Sequence, residues 1–444
     1  MTNGGKFGRT PSLRGALAIE GGEPVRPRDR RWPSWPQAPR DGQDALAAVL
    51  ASDRWTLTSA HGDELCERKF ARLFARYVGT RYCVPVDHGS SALVIALEAL
   101  RLDHGTPVLV PALTWVATAS AVFRAGLTPV LIDVDAESGC IGPESLDLDV
   151  GAGAVIPVHL ACTMADVPRI SAVARPHDIS VVEDAAQAHG ASWEGRAAGS
   201  LGELGCFSMQ QSKVLAGGEG GAVVTDDPTL ASHLEELRAD SRRYPRTPLG
   251  AGRLELIESA TIMGSNFCMN EFSAAILCQQ LAVLEDQHSR RNSNYRLLAS
   301  LFSDIDGVRL LEPRTQQTNS SIYQGVIIFD SLPTGMSNDQ VAEALTAELG
   351  VLFYPPRPPL NRSQLLRPWT KPALAPLTDQ FRAINRGRLF PNSEFYAKHS
   401  VLTHHSTFLG DANDMADISI AVRKILTSRP NSVSTKQAAA QHQM

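Results

Sequence analysis

The chain has 444 residues, of which 43% are hydrophobic and 20% are charged. Its 42 Lys and Arg residues are balanced by 47 Asp and Glu residues, which gives a formal net charge of -5. Proteins that bind nucleic acids or membrane surfaces usually carry a dense basic patch, and the sequence has no such run. The composition is typical of a soluble globular protein, so we expect small or charged metabolites as partners and neither a nucleic acid nor a membrane.

The sequence also indicates the cellular compartment of the protein. The N-terminal segment lacks the apolar core of a secretory signal, and no stretch approaches the roughly 20 apolar residues that span a bilayer. The seven cysteines are widely scattered and mostly lie in apolar stretches, which indicates buried free thiols in a reducing compartment. No pair of cysteines has the spacing of metal ligands. We therefore predict a cytoplasmic protein without a metal site.

Short apolar runs bounded by Gly, Pro or Asp alternate with helical patterns along the first two thirds of the chain. The runs lack polar alternation, which indicates strands covered by helices on both faces, as in a mostly parallel sheet. The predicted strands are 82–86, 108–110, 130–134, 154–159, 179–183 and 206–209. The predicted helices are 92–100, with an opening turn at Gly89, then 168–174, 228–238 and 270–290.

The pattern changes after residue 290. Residues 322–329 (IYQGVIIF) predict a strand. Ser337 and Gln340 form the capping box of a helix over 341–349, and Gly350 is placed to end it.

These patterns predict an α/β protein with two domains and two loose tails. The large domain would span 29–289 and a smaller C-terminal α/β domain 290–427. The tails, over 1–28 and 428–444, contain little that could anchor a core.

Two polar side chains follow apolar strands of the predicted sheet. Asp184 ends the strand in VVEDAAQAHG (181–190), at the edge where open α/β sheets bind ligands. An Asp here is also a common helix cap or loop hydrogen-bond partner. Lys213 follows the next strand and precedes the glycine cluster 217–221. Loss of hydration in a cleft lowers the pKa of a lysine amine, and the neutral amine is nucleophilic. The alternative is an ordinary solvated lysine in a loop.

Two further strand ends add candidate groups. Asp87-His88-Gly89-Ser90-Ser91 opens a helix, and its N–H groups and two hydroxyls suit a phosphate, although they equally suit an ordinary helix start. Trp115 follows the strand 108–110 and is suited either to stack on a planar ring or to fill the core.

A stacking aromatic, a phosphate cradle, an acid and a lysine at the ends of successive strands are the parts that hold pyridoxal 5′-phosphate. With these motifs in this order, residues 30–427 resemble the fold type I, pyridoxal-phosphate-dependent aminotransferases of the DegT/DnrJ/EryC1/StrS family. A narrower likeness is to members of aminoglycoside biosynthesis that aminate scyllo-inosose or 2-deoxy-scyllo-inosose with L-glutamine. The segments that carry it are 67–71, 157–160, 210–211, 237–242, 264–267, 368–371 and 404–405.

The resemblance implies a large domain with a mostly parallel seven-stranded sheet and a smaller C-terminal α/β domain. It makes Lys213 the lysine that attaches the cofactor and Asp184 the partner of the pyridinium nitrogen. Gln187 would lie near the phenolic oxygen of the cofactor and Trp115 would stack on its ring.

Further residues are implied to hold the phosphate group. Ser90, Ser91 and Ser208 match phosphate-binding positions of the family. Asn266 matches a position that reaches the phosphate from a neighbouring subunit, which implies a homodimer with shared active sites. The sequence departs from the family pattern at His88, where a small residue usually precedes the glycine of the phosphate loop.

The activity implied is transfer of an amino group from L-glutamine to a keto-cyclitol in aminocyclitol antibiotic biosynthesis, with ping-pong kinetics. His404, His405, Tyr354 and Lys371 are candidates for recognising the acceptor. A nucleotide-sugar aminotransferase and a 3-amino-5-hydroxybenzoate synthase-like enzyme remain alternatives. A nicotinamide-dependent oxidoreductase is disfavoured because the first strand is not followed by a Gly-x-Gly-x-x-Gly turn. A non-catalytic cofactor-binding protein is a further alternative.

Overall fold

The computed structural model describes residues 16–60, 62–247 and 253–428. Its strands, in chain order, are β1 Tyr82–Val86, β2 Pro107–Pro111, β3 Thr128–Ile132, β4 Ala154–Val155, β5 Ser180–Asp184, β6 Ser192–Trp193, β7 Arg196–Ala197, β8 Leu204–Ser208, β9 Gly221–Thr225, β10 Arg242–Arg243, β11 Ile257–Glu258, β12 Val308–Leu310, β13 Gln317–Asn319, β14 Gln324–Phe329, β15 Phe353–Tyr354 and β16 Ser400–His404. Its α-helices are α1 Gly42–Ala51, α2 Cys66–Val78, α3 Gly89–Ala99, α4 Val116–Arg124, α5 Val167–Ala174, α6 Pro228–Arg238, α7 Glu271–Phe302, α8 Asn338–Leu349, α9 Ala375–Ile384, α10 Pro391–His399 and α11 Ala412–Thr427.

Seven strands form the large sheet, in the order β1-β9-β8-β5-β4-β2-β3. Neighbouring strands are parallel, except that β9 pairs antiparallel with both β1 and β8. All residues of β3 and β9 are buried, because helices cover both faces of the sheet. The predicted mostly parallel, seven-stranded sheet is confirmed. Strand β9 was not predicted, because its first residue belongs to the glycine cluster that follows Lys213.

Strand β4 is shorter than predicted, and the reason lies in residues 157–159. Pro157 has no N–H to donate to a ladder, although its carbonyl oxygen accepts from Asp184 N at 2.9 Å. The His159 N–H donates to the carbonyl oxygen of Asp184 at 3.1 Å. A single parallel bridge between Val158 and Asp184 therefore replaces a continuous strand and fixes the end of β5.

Helix α7 is longer than the predicted helix 270–290. Its N-cap residue Asn270 accepts a hydrogen bond from Ser273 N at 2.9 Å. The helix continues to Phe302 because its last turns are buried, with the Tyr295 hydroxyl donating to the carbonyl oxygen of Leu311 at 2.6 Å. The predicted domain boundary at 289/290 thus falls inside one continuous helix that joins the two parts of the chain.

A second, antiparallel sheet lies in the C-terminal part, in the order β12-β14-β16-β15. Helix α8 packs beside it and has the capping box predicted from Ser337 and Gln340. Gly350 ends the helix at a φ of 65°, in the left-handed region where glycine carries no steric penalty. Strand β16 and helix α11 were not predicted.

Residues 16–28 differ from the flexible tail predicted over 1–28. Leu17 is buried, and the Arg26 guanidinium is 3% exposed and donates to Asp414 Oδ1 at 2.6 Å. Lys424 Nζ donates to the carbonyl oxygen of Glu23 at 2.8 Å. These contacts attach the segment to helix α11. Residues 1–15 and 429–444 of the two predicted tails lie outside the described residues.

Three further findings concern the chain as a whole. Within the described ranges, no helix has the length and apolar character needed to cross a membrane. In the same residues, no group of three His, Cys, Asp or Glu side chains is arranged to hold a metal ion. All seven cysteines lie within these ranges and are free thiols, four of them buried.

Candidate active site

The predicted site residues gather at the carboxyl ends of strands in the large sheet. Ser90 and Ser91 follow β1, Trp115 follows β2, Asp184 ends β5, and Ser208 ends β8. Gln187 and Lys213 lie in the loops after β5 and β8. Parallel strands present their carboxyl ends at one edge, so the topology brings these side chains to the same edge of the sheet.

Asp184 is a buried carboxylate, 6% exposed. Its Oδ2 accepts from Thr118 Oγ1 at 2.9 Å, and its Oδ1 accepts from Ala186 N at 3.2 Å. Burial raises the pKa of the Asp184 carboxyl, although both hydrogen bonds and the charge of Lys213 oppose the rise. A cationic ligand beside Asp184 would therefore favour its ionised form.

The residue before Asp184 has a structural role. Glu183 is fully buried and accepts hydrogen bonds from Gly199 N, Leu201 N and Gly202 N at 2.8, 2.6 and 2.7 Å. His159 Nε2 lies 2.9 Å from Glu183 Oε2. This cluster fixes the loop between β7 and β8 and thereby the end of β5.

Lys213 lies in a hydrogen-bonded loop between β8 and β9. Its side chain is half-buried, and Nζ lies 4.4 Å from the ring centroid of Tyr323, a cation–π contact. Gln210 Oε1 accepts from both the N–H and the hydroxyl of Ser212 at 2.7 Å, and the Lys213 N–H donates to the carbonyl oxygen of Gln210 at 2.8 Å. Hydrogen bonds within the loop therefore fix the backbone position of Lys213.

His404 and His405, predicted as acceptor candidates, lie behind this loop. Their Nε2 atoms lie 3.2 and 3.1 Å from the carbonyl oxygen of Ser212. His405 is fully buried, and burial together with the charge of Arg291 lowers its pKa. Trp35 packs edge-on against His405, at 4.5 Å between centroids, and Trp35 Nε1 donates to the carbonyl oxygen of Gln211 at 2.8 Å. The histidines thus support the backbone before Lys213.

The first turn of α3 forms a cradle that only glycines allow. A Cβ on Gly89 would lie 2.5 Å from Ser208 Cβ, and a Cβ on Gly221 would lie 2.5 Å from the carbonyl group of His88. The N-cap residue His88 makes no side-chain hydrogen bond to the helix; its Nδ1 lies instead 3.0 Å from Glu219 Oε2. The N–H groups of the first turn therefore have no side-chain cap, which favours an anion site over an ordinary capped helix start.

Trp115 and Gln187 present groups suited to a planar ring. Trp115 is 47% exposed, which does not fit the alternative of a core residue, and the Arg357 guanidinium carbon lies 4.6 Å from its ring centroid. Gln187 Oε1 accepts from Ala161 N at 2.7 Å. Because that bond occupies the amide oxygen, the amide nitrogen of Gln187 is the group available to donate to a ligand.

The remaining predicted residues lie in other surroundings. Asn266 is exposed, and its Oδ1 accepts from Cys268 N at 3.2 Å. Its neighbour Phe267 accepts from Asp87 N at 2.8 Å, so the segment runs beside the phosphate loop. Tyr354, in β15, accepts a hydrogen bond at its hydroxyl from Gln324 Nε2 at 2.8 Å. Lys371 is exposed on the turns that precede α9.

Three residues at the site were missed from the sequence. Thr118, Tyr323 and Arg357 contact Asp184, Lys213 and Trp115 through their side chains. Thr118 lies in the first turn of α4, and its hydroxyl three residues after Trp115 is the signal that the sequence offers. Tyr323 and Arg357 belong to the C-terminal part of the chain, and no local motif marks them.

These groups fit pyridoxal 5′-phosphate. The uncapped helix start and the Ser208 contact provide an anion cradle that a Cβ at Gly89 would fill. The buried carboxylate of Asp184 needs a cation to favour its ionised form, and a protonated pyridine supplies one. Lys213 provides an amine at the same sheet edge.

Comparison with known proteins identifies the family of the chain. The chain matches the DegT/DnrJ/EryC1/StrS aminotransferase family over residues 37–381. It is 41% identical over 416 residues to the L-glutamine:2-deoxy-scyllo-inosose aminotransferase of Streptoalloteichus tenebrarius, covering 92% of this chain and 97% of that protein. It is 38% identical over 416 residues to the L-glutamine:scyllo-inosose aminotransferase of Streptomyces griseus, with 93% and 97% covered.

A solved structure shows the same fold. The crystal structure of 3-amino-5-hydroxybenzoic acid synthase superposes with a TM-score of 0.75 at 27% identity, covering 90% of this chain and 99% of that one. The chain therefore belongs to the DegT/DnrJ/EryC1/StrS aminotransferase family and is a pyridoxal-phosphate-dependent aminotransferase.

Proposed function

We propose that this aminotransferase moves the amino group of L-glutamine to a keto-cyclitol, 2-deoxy-scyllo-inosose or scyllo-inosose, in aminocyclitol antibiotic biosynthesis. The observation that carries the proposal is near-full-length identity of about 40% to enzymes whose names state these substrates. The arrangement of Asp184 and Lys213 at one sheet edge supports the transfer chemistry. Ping-pong kinetics follow, because donor and acceptor would use the same site in turn.

Each residue at the site has a proposed part in this reaction. Pyridoxal phosphate, when bound, supplies an electron sink for the charge that develops as the donor loses its α-proton. The Asp184 carboxylate holds the proton on the pyridine nitrogen, and Thr118 Oγ1 keeps that carboxylate oriented. Lys213 Nζ would hold the cofactor between turnovers. In each half-reaction the Lys213 amine would move a proton between the substrate carbon and the cofactor carbon.

The binding residues orient the cofactor. The hydroxyls of Ser90, Ser91 and Ser208, with the N–H groups of the first turn of α3, hold its phosphate. The amide nitrogen of Gln187 donates to its phenolic oxygen, and Trp115 stacks on its ring. The position of these residues at one sheet edge and the family resemblance support these roles.

We also propose a cytoplasmic homodimer in which Asn266 completes the phosphate site of the neighbouring subunit. Asn266 is exposed close to the phosphate loop of its own chain. Met263 and Leu254, in the same part of the chain, are 92% and 59% exposed. A subunit contact over this segment would bury these two apolar side chains.

Product identification tests the acceptor. The purified enzyme with pyridoxal phosphate and L-glutamine is incubated separately with 2-deoxy-scyllo-inosose, scyllo-inosose and a keto-sugar nucleotide, and products are identified by mass spectrometry. We expect an aminocyclitol from at least one inosose. Amination of the keto-sugar nucleotide with neither inosose converted would contradict the proposal.

A further inference from the structure

The Pro-rich connection after β15 links the small sheet to the active-site edge of the large sheet. At its beginning, the Tyr354 hydroxyl accepts from Gln324 Nε2 of β14 at 2.8 Å. At its end, the Leu360 N–H donates to the carbonyl oxygen of Ala112, directly after β2, at 2.8 Å. The connection is therefore attached at both ends, and its middle lies beside the residues that follow β2.

Arg357 occupies the middle of this connection and is held by its neighbours. Prolines precede it at 355 and 356 and follow it at 358 and 359. Their rings fix φ at their own positions, and Pro358 also restricts the backbone of Arg357 itself. The guanidinium carbon lies 4.6 Å from the ring centroid of Trp115, which orients the cation at the sheet edge.

The Arg357 guanidinium contacts Trp115 but is not neutralised by any acidic side chain that the structure describes. In the described part of the chain, no Asp or Glu lies within ion-pair distance of its guanidinium, whereas the nearby Arg362 pairs with Glu394 at 3.0 Å. Arg357 is exposed. An accessible, oriented and unpaired cation thus lies beside Trp115, at the sheet edge that also carries Lys213.

We propose that Arg357 binds the α-carboxylate of the amino donor and thereby selects an amino acid for the first half-reaction. The inference rests on the proposed function, in which the donor L-glutamine has a carboxylate and the keto-cyclitol acceptor is neutral. A guanidinium offers paired N–H donors that match the two oxygens of a carboxylate. The unpaired cation therefore serves the donor.

The first half-reaction of the holoenzyme tests this assignment without any acceptor. The absorbance change of the bound cofactor is followed as L-glutamine is added to wild type, Arg357→Gln and Arg357→Lys. We expect the half-saturating glutamine concentration to rise roughly 10- to 100-fold in Arg357→Gln, with partial recovery in Arg357→Lys. The absorption spectrum before addition should stay unchanged. Arg362→Gln, two residues beyond the end of the connection, is the matched control and should behave as wild type.

A donor analogue separates recognition from a structural effect. The α-carboxamide of glutamine lacks the anion, so wild type should bind it more weakly than glutamine by about the factor lost in Arg357→Gln. The variant should not discriminate between the two. An unchanged half-saturating concentration for glutamine, or undiminished discrimination in the variant, would overturn the proposal.

Failure of the proposed function gives a different result. If glutamine produces no change with wild type, the donor assignment fails, and the same comparison is made with L-glutamate and its α-carboxamide. In steady-state assays with a keto-sugar nucleotide, a raised KM for that acceptor alone in Arg357→Gln would show that the cation serves a diphosphate and would likewise overturn the donor assignment.

Discussion

Asp184 is held in surroundings that are unfavourable for its charge. Burial raises the pKa of its carboxyl above the ordinary value of 3.8, and the hydrogen bonds from Thr118 and Ala186 offset only part of this effect. Because the pKa of Asp184 is higher in the folded protein than in the unfolded chain, the folded state without cofactor binds a proton more tightly. Protonation of Asp184 therefore stabilises the fold at low pH, and this stabilisation is lost as pH rises above 3.8 through the folded pKa. The carboxylate is therefore a cost to the cofactor-free protein at neutral pH.

We therefore predict opposite effects of Asp184→Asn on stability and on function. Without cofactor at pH 7 to 8, the variant should melt roughly 1 to 3 °C above wild type, because it removes a buried charge. The difference should shrink towards pH 4, where the wild-type carboxyl is increasingly neutral. Pyridoxal phosphate should bind the variant more weakly, because no carboxylate faces the pyridine nitrogen.

Melting curves with and without cofactor measure this prediction. Asp103→Asn, at an exposed position, is the matched control and should change neither quantity. A variant that melts below wild type at pH 7 to 8 without cofactor would show that the Asp184 hydrogen bonds outweigh the cost of its burial.

Single residues could be predicted where their surroundings are local in sequence. Asp184 and Lys213 were found because Asp184 ends an apolar strand and Lys213 lies in the loop after the next one, and the sheet order brings the two strand ends together. Thr118, Tyr323 and Arg357 were missed because their contacts join parts of the chain far apart in sequence. His405 was one candidate for recognising the acceptor and is buried behind the loop of Lys213. Its orientation depends on the packing of Trp35, which no pattern in the sequence indicates.

At the scale of elements, the start of α3 depends on two close backbone approaches. Gly89 contacts Ser208, and Gly221 contacts the peptide between His88 and Gly89. The helix start was predicted from a local motif. The close approach of β9 to this helix start was not predicted, because the glycines after Lys213 indicated a turn.

We expect Gly89→Ala to weaken cofactor binding about 10-fold or more, because its Cβ would force the cradle apart at Ser208. His88→Ala is the matched control. The His88 ring pairs with Glu219 while both side chains are about half exposed, and such pairs contribute little. The dissociation constant of the His88→Ala variant for pyridoxal phosphate should therefore stay within a few-fold of the wild-type value.

Equilibrium titration of the cofactor with both variants, alongside circular dichroism, measures this effect. Equal affinity in Gly89→Ala and wild type would exclude the first turn of α3 as the phosphate cradle. A large loss in His88→Ala would instead indicate that the departure from the family pattern affects the cofactor directly.

At the scale of the whole molecule, two sheets are joined by α7 and by the connection that carries Arg357. The proposed cofactor-binding residues follow strands of the large sheet, and the C-terminal part contributes Tyr323 and Arg357. The exposed segment around Asn266 and Met263 is the part that we propose a second subunit covers.

Hybrid dimers test whether the sites are shared. Lys213→Ala and Asn266→Ala are each expected to be impaired as homodimers when cofactor is limiting. If Asn266 completes the partner's site, a hybrid of the two variants contains one intact site. Co-expressed mixtures should then recover about a quarter of wild-type activity. No recovery beyond that of the separate variants, in a mixture shown to contain hybrids, would place Asn266 in the site of its own chain.

The most direct test of the account is the visible absorption of the purified protein loaded with pyridoxal phosphate. We predict a cofactor band that L-glutamine bleaches and that subsequent 2-deoxy-scyllo-inosose or scyllo-inosose restores, because donor and acceptor act in turn on one site. In Lys213→Ala, L-glutamine should not produce the rapid bleaching seen in wild type. A band that glutamine leaves unchanged, or that a keto-sugar nucleotide restores and neither inosose does, would contradict the account.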